Sequence, residues 1–190
     1  MKMRKDKDFI SFFDEATGHY VRSGIIKNGV ESSEDPFMTS FPELLDVGIM
    51  GHCRHGQSGL CLKAGVECYQ DGLHATAPNM TLEDFQEIAR QCEGNTYQIA
   101  LGGCGDPDQH EHFAKILDAC RSAGIVPNFT TSGLGLNAEL AQLCKKYCGA
   151  VAVSWYRSPY TLRAINLLLQ TGVKTNIHYV IGNNTIDEAI

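Results

Sequence analysis

Residues 44–72 of this 190-residue chain have the sequence LLDVGIMGHCRHGQSGLCLKAGVECYQDG. The first seven residues are mostly apolar and predict a strand, and a glycine-rich loop carrying Cys53, Cys61 and Cys68 follows them. Cysteine sulfur is the usual protein ligand of iron-sulfur clusters and a common ligand of zinc. Three cysteines in one loop after a strand therefore indicate a metal or metal-cluster site.

The spacing of these cysteines leaves the kind of site open. Seven residues separate Cys53 from Cys61 and six separate Cys61 from Cys68, whereas zinc fingers and ribbons pair their ligands about two to four residues apart. A four-iron cluster normally takes four thiolates, so three would leave one iron open to a substrate or cofactor. Cysteines without any metal are a further alternative. Three histidines of the same segment keep a zinc site with three cysteines and one histidine possible: His52, His55 and His74.

Composition and charge exclude several classes of function. The hydrophobic content of 43% is enough for one domain with a sizeable core, and the net charge of -6 offers no basic surface for nucleic acid. No apolar run approaches the roughly 18 residues that span a bilayer, and the start of the chain lacks the apolar core of a signal peptide. We therefore expect a cytoplasmic protein with no membrane or nucleic-acid partner, whose eight cysteines are ligands or buried thiols rather than disulfides.

Short strands and amphipathic helices alternate after the cysteine loop. Runs rich in apolar and β-branched residues predict strands over residues 98–103, 126–133, 150–156 and 174–182. Apolar residues at three- and four-residue spacing predict helices over residues 82–92, 110–123, 138–147 and 159–171. This repeat predicts an α/β fold with a parallel sheet or partial (βα) barrel, in which the loops at the carboxyl ends of the strands form the site.

The first 41 residues are predicted to be a separate N-terminal segment, made of a β-hairpin and a linker, before a core over residues 42–190. Residues 9–26 alternate in hydrophobicity around a turn at residues 14–18, which contains Gly18. Such a hairpin is expected either to cover the barrel or to grip a substrate strand. Because an exposed strand edge can pair with an extended chain, it favours a peptide substrate.

The loop after the second core strand, residues 102–107, has the sequence GGCGDP. It is predicted to lie at the same end of the sheet as the cysteine loop. Its glycines let backbone amides approach a ligand closely. Taken alone, this loop is also compatible with a metal-free α/β enzyme that binds an anionic ligand.

The cysteine loop and this glycine loop together resemble the radical S-adenosylmethionine (SAM) enzymes. Residues 103–107 (GCGDP) are similar to the GGGEP motif of that family, and residues 180–182 are similar to its fifth-strand motif. The cysteine spacing departs from the CxxxCxxC pattern of the family. The resemblance covers roughly residues 42–190 and implies a partial (βα) barrel of the radical SAM type. The chain stops soon after the fifth strand, so we expect a truncated barrel.

The resemblance implies a set of cofactor contacts. Cys53, Cys61 and Cys68 would hold a 4Fe-4S cluster. The SAM amino group would meet the glycine loop, the ribose and carboxylate would meet the ends of the third and fourth strands, and the adenine would meet the fifth. The implied SAM-binding residues are, in chain order, Gly102, Gly103, Cys104, Asp106, Thr130, Ser132, Ser154, Ile181 and Gly182.

The resemblance also implies an activity. A radical SAM enzyme cleaves SAM reductively to a 5′-deoxyadenosyl radical, which abstracts hydrogen from the substrate. The electron would come from a donor such as flavodoxin or ferredoxin. The substrate would be a small molecule or a peptide, with a peptide favoured. The alternative function is a zinc-binding structural or binding protein that uses the same cysteine loop.

Overall fold

The chain begins with antiparallel strands. The computed structural model describes residues 1–35, 38–63, 65, 68, 70–183 and 185–189. Strands β1 (Lys2–Lys5), β2 (Ile10–Phe13) and β3 (Tyr20–Arg22) form a three-stranded sheet, and β4 (Ile26–Lys27) and β5 (Val30–Glu31) form a short hairpin. The predicted hairpin is confirmed as β2 and β3. Sequence reasoning missed β1 because its KMRK sequence carries no apolar alternation.

The core is a five-stranded parallel sheet. Its strands are β6 (Leu44–Met50), β7 (Gln98–Gly103), β8 (Val126–Thr131), β9 (Val151–Ser154) and β10 (Thr175–His178). They lie in the spatial order β10-β9-β8-β7-β6, so that each new strand is added beside the previous one. This is the arrangement expected of a partial (βα) barrel.

Three predicted strands, β8, β9 and β10, end earlier than expected, and β10 stops at His178 instead of at residue 182. Strand β8 stops at Thr131 because the next amide, that of Ser132, donates to the Asp106 carboxylate instead of to a neighbouring strand. Strand β9 stops at Ser154, three residues before Arg157, whose φ of 51° does not fit an extended strand.

Helices connect the parallel strands. Three of the four predicted core helices have the predicted bounds, and the fourth, α4 (Phe113–Ser122), begins later because residues 107–109 form a 3₁₀ turn after Asp106. None of the described helices is both long and apolar enough to cross a membrane. The helices are α1 (Arg54–Ser58), α2 (Leu60–Lys63), α3 (Leu82–Cys92), α4 (Phe113–Ser122), α5 (Ala138–Tyr147) and α6 (Pro159–Thr171).

Residues 185–188 have the sequence TIDE, a capping-box pattern that predicts the start of a further helix, and this prediction is wrong for the residues described there. Residues Ile186–Glu188 form a single 3₁₀ turn. The Thr185 hydroxyl donates to the carbonyl of Val180 at 2.8 Å, so it closes the preceding loop instead of capping a helix.

The two faces of the parallel sheet have opposite character. Alternate side chains point to opposite faces of a strand, and one set packs with the helices in the main core, as Ile99, Phe129 and Val153 do. Apart from Leu44 and Val126 at the amino ends of β6 and β8, the other set is small or polar and half-buried or exposed. Its members include Gly48, Ala100, Gly102, Asn128, Thr130, Ala152, Ser154, Asn176 and His178. We call this second face the helix-free face, because the main core and its helices lie on the other one. The helix-free face and the loops at its carboxyl end are therefore the part of the sheet available to ligands.

The N-terminal sheet covers the opposite end of the core. Phe13 of β2 stacks on Tyr97, directly before β7, with ring centroids 5.3 Å apart. Lys2 donates to the carbonyl of Gly124, before β8, and Lys174, before β10, donates to the carbonyl of Ala16 at 2.8 Å. The N-terminal sheet thus lies at the amino ends of the strands, away from the cysteine loop. Its position gives no support to the expectation that it grips a substrate strand beside that loop.

Arg4 attaches this sheet to the core. Its side chain is 8% exposed. One guanidinium nitrogen donates to the carbonyls of Phe41 at 2.6 Å and Asn95 at 2.9 Å. The second terminal guanidinium nitrogen donates to the Asp6 carboxylate at 3.0 Å and to the Ser40 hydroxyl at 3.0 Å. Because the loss of this buried cation would take a donor from the Asp6 carboxylate and from two carbonyls at once, its removal is costly.

We expect Arg4→Met to lower the free energy of unfolding by about 2–4 kcal/mol, measured by urea denaturation. The matched control is Lys5→Met, on the exposed neighbouring position of β1, which should change stability by less than about 0.5 kcal/mol. Equal effects of the two substitutions would show that Arg4 does not attach the sheet.

Candidate cofactor site

The cysteine loop forms two short helices at the carboxyl end of β6. Cys53 is the N-cap of α1, and its sulfur accepts a hydrogen bond from the Gly56 amide at 3.4 Å. The Cys68 sulfur accepts from the Gly72 amide at 3.3 Å. Cys61 lies on α2 and is buried. Amide donors aimed at sulfur favour the thiolate, the form that binds metal.

Close backbone packing shapes this loop around Gly72. A Cβ atom on Gly56 would lie 1.4 Å from the Gly72 carbonyl oxygen, so only glycine fits at position 56. A Cβ atom on Gly72 would lie 3.2 Å from Cys53 Cβ, 3.3 Å from Cys68 Sγ and 3.5 Å from the Cys104 carbonyl oxygen. The cysteine loop and the glycine loop therefore meet at this point.

Two thiols of this site, Cys53 and Cys104, have raised pKa values. Burial raises the pKa of Cys53, and the charges of Asp106 and Cys61 add to the increase against backbone hydrogen bonds from Gly56 and His55. Burial also raises the pKa of Cys104, with contributions from Cys53 and Cys68. The charge of a bound metal opposes such shifts, because it stabilises the thiolate.

These residues suit a metal cluster by their chemistry. All eight cysteines are free thiols, and two of the three expected ligands already accept amide hydrogen bonds on sulfur. Within the described part of the chain, no group of three cysteine, histidine or acidic side chains is close enough to hold a single metal ion. Three free thiols in one loop are a donor set of the kind that a cluster takes, and the assignment of Cys53, Cys61 and Cys68 as its ligands stays a prediction.

The glycine loop follows β7 and packs against the end of β6. Gly103 has a φ of 113°, and a Cβ atom there would lie 2.4 Å from the Met50 carbonyl oxygen. The Cys104 amide donates to the same oxygen at 2.8 Å. Gly102 differs, because a Cβ atom on it would meet no other atom within 4 Å. The backbone at Gly102 thus borders an open space that a ligand can fill.

Asp106 and Ser132, both expected to contact SAM, contact each other. The Ser132 amide donates to Asp106 Oδ1 at 2.9 Å, and the Ser132 hydroxyl donates to Asp106 Oδ2. His55 of α1 joins them, since its Nε2 is bonded to the Ser132 hydroxyl and lies 3.6 Å from Asp106 Oδ2. The sequence marked His55 only as a possible zinc ligand. No local pattern shows that its ring reaches Ser132.

Two tyrosines that follow β9 surround the same histidine. The His55 ring lies 5.9 Å from the Tyr156 ring and 5.6 Å from the Tyr160 ring, measured between centroids. Burial raises the pKa of Tyr156 to about 12, so this phenol stays neutral and can donate a hydrogen bond. Sequence reasoning missed both tyrosines as site residues, because it placed Tyr156 in the predicted strand 150–156 and Tyr160 in the predicted helix 159–171, and neither pattern shows which ring reaches His55.

The remaining expected SAM contacts fall into two groups. Thr130 on β8 and Ser154 on β9 lie on the helix-free face of the sheet, as Gly102 does. Ile181 and Gly182 lie in the exposed loop after β10, where the Gly182 amide donates to the Thr185 hydroxyl at 2.8 Å. Gly102, Thr130 and Ser154 thus share one surface, and residues 181 and 182 belong to the outer edge of the sheet.

Asp108 is a buried acid beside this network. It is 6% exposed, and neither carboxylate oxygen has a hydrogen-bond partner among the described residues. Burial raises the pKa of Asp108 to about 7, and the charge of Asp106 adds to the increase. The Thr131 hydroxyl is near enough to oppose the shift without completing a hydrogen bond. Asp108 therefore destabilises the folded chain when it is ionised.

We expect Asp108→Asn to change how stability depends on pH. A carboxyl group whose pKa is raised on folding stabilises the native state most below its unfolded pKa, near 4, and this contribution is lost as pH rises towards 7. Between pH 5 and pH 8 the wild type should lose about 2 kcal/mol more unfolding free energy than Asp108→Asn. Urea denaturation at several pH values tests this, and parallel pH profiles would contradict it.

Comparisons with known proteins give similar structures and no similar sequences. No protein-family model matches the chain, and neither does any curated protein. Native anSMEcpe with bound AdoMet is 17% identical with a TM-score of 0.60, over 78% of this chain and 46% of that chain. SuiB from Streptococcus suis bound to precursor peptide SuiA is 16% identical with a TM-score of 0.57, over 87% of this chain and 44% of that chain.

A third similar structure is BtrN in complex with AdoMet and 2-DOIA. It is 12% identical with a TM-score of 0.53, over 74% of this chain and 58% of BtrN. The chain therefore spans about half the length of these proteins. All three are radical SAM enzymes. Together with the parallel sheet and its cysteine loop, these likenesses show that the chain has the fold of the radical SAM enzymes.

Proposed function

We propose that this chain is the core of a radical SAM enzyme. It would bind a 4Fe-4S cluster through Cys53, Cys61 and Cys68 and would bind SAM at the carboxyl ends of the parallel strands. The observation that carries this proposal is the meeting of the cysteine loop and the glycine loop around Gly72. Cluster and SAM must be adjacent in such an enzyme, and these two loops are adjacent here.

The open space beside Gly102 supports the SAM half of the proposal. Its backbone is on the helix-free face, near the end of β7, and no atom occupies the position of a Cβ there. Thr130 and Ser154 offer hydroxyl groups on the same face. Backbone amides around Gly102 and Cys104 would orient the SAM amino group, and these hydroxyls would orient its ribose and carboxylate.

The protein would bind and orient both cofactors and keep water out. When bound, the reduced cluster and SAM would supply a 5′-deoxyadenosyl radical that abstracts hydrogen from the substrate. Tyr156 and Tyr160 would close the site on the β9 side, where they pack on His55. The electron would come from a protein donor such as flavodoxin or ferredoxin.

We propose a peptide as the substrate class. The support is the likeness to SuiB, which is solved with a precursor peptide. BtrN, solved with 2-DOIA, is similar over a smaller share of this chain. The helix-free face is lined by small and polar side chains, which leave room for an extended chain.

We expect anaerobic reconstitution with iron and sulfide to give a brown protein with about four irons per chain. Serine at Cys53, Cys61 and Cys68 together should abolish this loading, because serine does not replace a thiolate ligand. The control is Cys92→Ala, which removes a buried core thiol on α3 and should leave the iron content unchanged. Iron is counted chemically, and 5′-deoxyadenosine formed with dithionite or reduced flavodoxin is measured by chromatography.

Two results would reject the cluster assignment. One is a colourless chain that purifies with zinc, which would favour the zinc-binding alternative. The other is a cluster that survives the triple substitution. If the cluster forms and no 5′-deoxyadenosine appears, the ligand assignment stands and the proposed activity fails.

We expect Gly102→Ala to weaken SAM binding without changing the fold. The added methyl group meets no protein atom within 4 Å, so the free energy of unfolding should change by less than about 1 kcal/mol. If SAM occupies that space, its dissociation constant should rise by about tenfold or more, measured by calorimetry on the reconstituted protein.

The matched control is Gly103→Ala. Its Cβ would collide with the Met50 carbonyl oxygen at 2.4 Å, so this variant should instead be strongly destabilised. An unchanged SAM affinity in Gly102→Ala would place the ligand elsewhere.

A further inference from the structure

His55 links three loops that follow three different strands. It lies on α1, within the cysteine loop after β6. Its Nε2 forms a hydrogen bond with the hydroxyl of Ser132, the residue directly after β8. That hydroxyl forms a second hydrogen bond with the carboxylate of Asp106, which lies in the loop after β7. Residues 55 and 132 are 77 positions apart, and residues 106 and 132 are 26 apart. One chain of hydrogen bonds therefore holds the cysteine loop to the glycine loop.

The donors and acceptors of Ser132 determine which nitrogen of His55 carries the proton. A carboxylate only accepts, so the Ser132 hydroxyl donates its single hydrogen to Asp106. The oxygen also accepts from the Leu134 amide at 3.2 Å. His55 must then donate to the remaining lone pair of the hydroxyl, which places the ring hydrogen on Nε2.

The other ring nitrogen, Nδ1, is buried and has no hydrogen-bond partner among the described residues. His55 as a whole is only 3% exposed. The anchoring function of this side chain therefore depends on Nε2. Glutamine can place an amide N–H near the position of Nε2, whereas asparagine reaches only as far as Nδ1.

The position of His55 affects two of the expected cluster ligands. Helix α1 has five residues and Cys53 is its N-cap, so an anchor at His55 restrains the whole helix. The next residue, Gly56, donates its backbone amide to Cys53 Sγ and packs against the Gly72 carbonyl. The backbone amide of Gly72 in turn donates to Cys68 Sγ. Displacement of His55 would therefore move Cys53 and Cys68 relative to each other.

We propose that His55 is a positioning residue that sets the long cysteine loop against the glycine loop through its Nε2–H donor to Ser132. This inference rests on the proposed function, because it assigns the loop to cluster binding. A loop with seven and six residues between its cysteines has more freedom than a short one. The anchor to Ser132 and Asp106 removes part of that freedom.

The test compares His55→Gln, His55→Asn and His55→Leu after anaerobic reconstitution. His55→Gln should keep the iron content and the electron paramagnetic resonance spectrum of the reduced cluster, including its change on SAM addition. His55→Asn and His55→Leu should bind iron about tenfold or more weakly, as is typical when the partner of a metal ligand is lost. Nitrogen NMR of the metal-free wild type should find the hydrogen of His55 on Nε2.

The matched control is His110, a second buried histidine, whose Nε2 is bonded to the Met80 carbonyl at 2.9 Å. His110→Leu should lower the unfolding free energy without changing iron binding. If the loss of iron binding came only from lower stability, His55→Leu and His110→Leu would weaken iron binding equally. Equal weakening in the two variants would overturn the inference. Normal iron binding in His55→Asn or His55→Leu would overturn it too. If the wild type itself binds no cluster, the proposed function fails, and the Nε2–H tautomer is still tested by NMR.

Discussion

The site depends on two loops whose backbones touch. A Cβ atom on Gly103 would lie 2.4 Å from the Met50 carbonyl oxygen, and one on Gly105 would lie 2.3 Å from the His52 carbonyl oxygen. No side chain fits between the loop after β6 and the loop after β7. Because the two main chains are in direct contact, the cysteines of one loop and the backbone amides of the other can face one ligand.

Stability and chemistry occupy opposite ends of the parallel sheet. At the amino ends, the N-terminal sheet is attached by aromatic stacking of Phe13 on Tyr97 and by the buried cation of Arg4. At the carboxyl ends, His55, Asp108 and Tyr160 all have buried polar atoms without partners among the described residues. Unpaired buried polar groups cost free energy and are concentrated where proteins bind ligands. The contacts of the N-terminal sheet at the amino ends of the strands stabilise the fold and can offset this free-energy cost.

The fold was largely predictable from local patterns, and the N-terminal segment was less so. Strand 98–103 and the helices over residues 82–92, 138–147 and 159–171 were predicted with the observed bounds. Their period-2 and period-3.6 patterns are long enough to be specific. Strand β1 has only four residues and forms because it pairs with β2. The loop at Thr185 resembles a capping box, yet its hydroxyl bonds the Val180 carbonyl and the Gly182 amide of the preceding loop instead of an amide of the residues that follow.

The sequence by itself determined the order of the βα units and placed Cys53, Cys61, Cys68 and the glycine loop at one end of the sheet. Those features follow from hydrophobic periodicity and from the direction of parallel strands, both of which are local properties. Only the tertiary structure decided that His55 meets Ser132 and Asp106. Contacts between residues 77 positions apart depend on how closely loop backbones pack, and no local pattern encodes that distance.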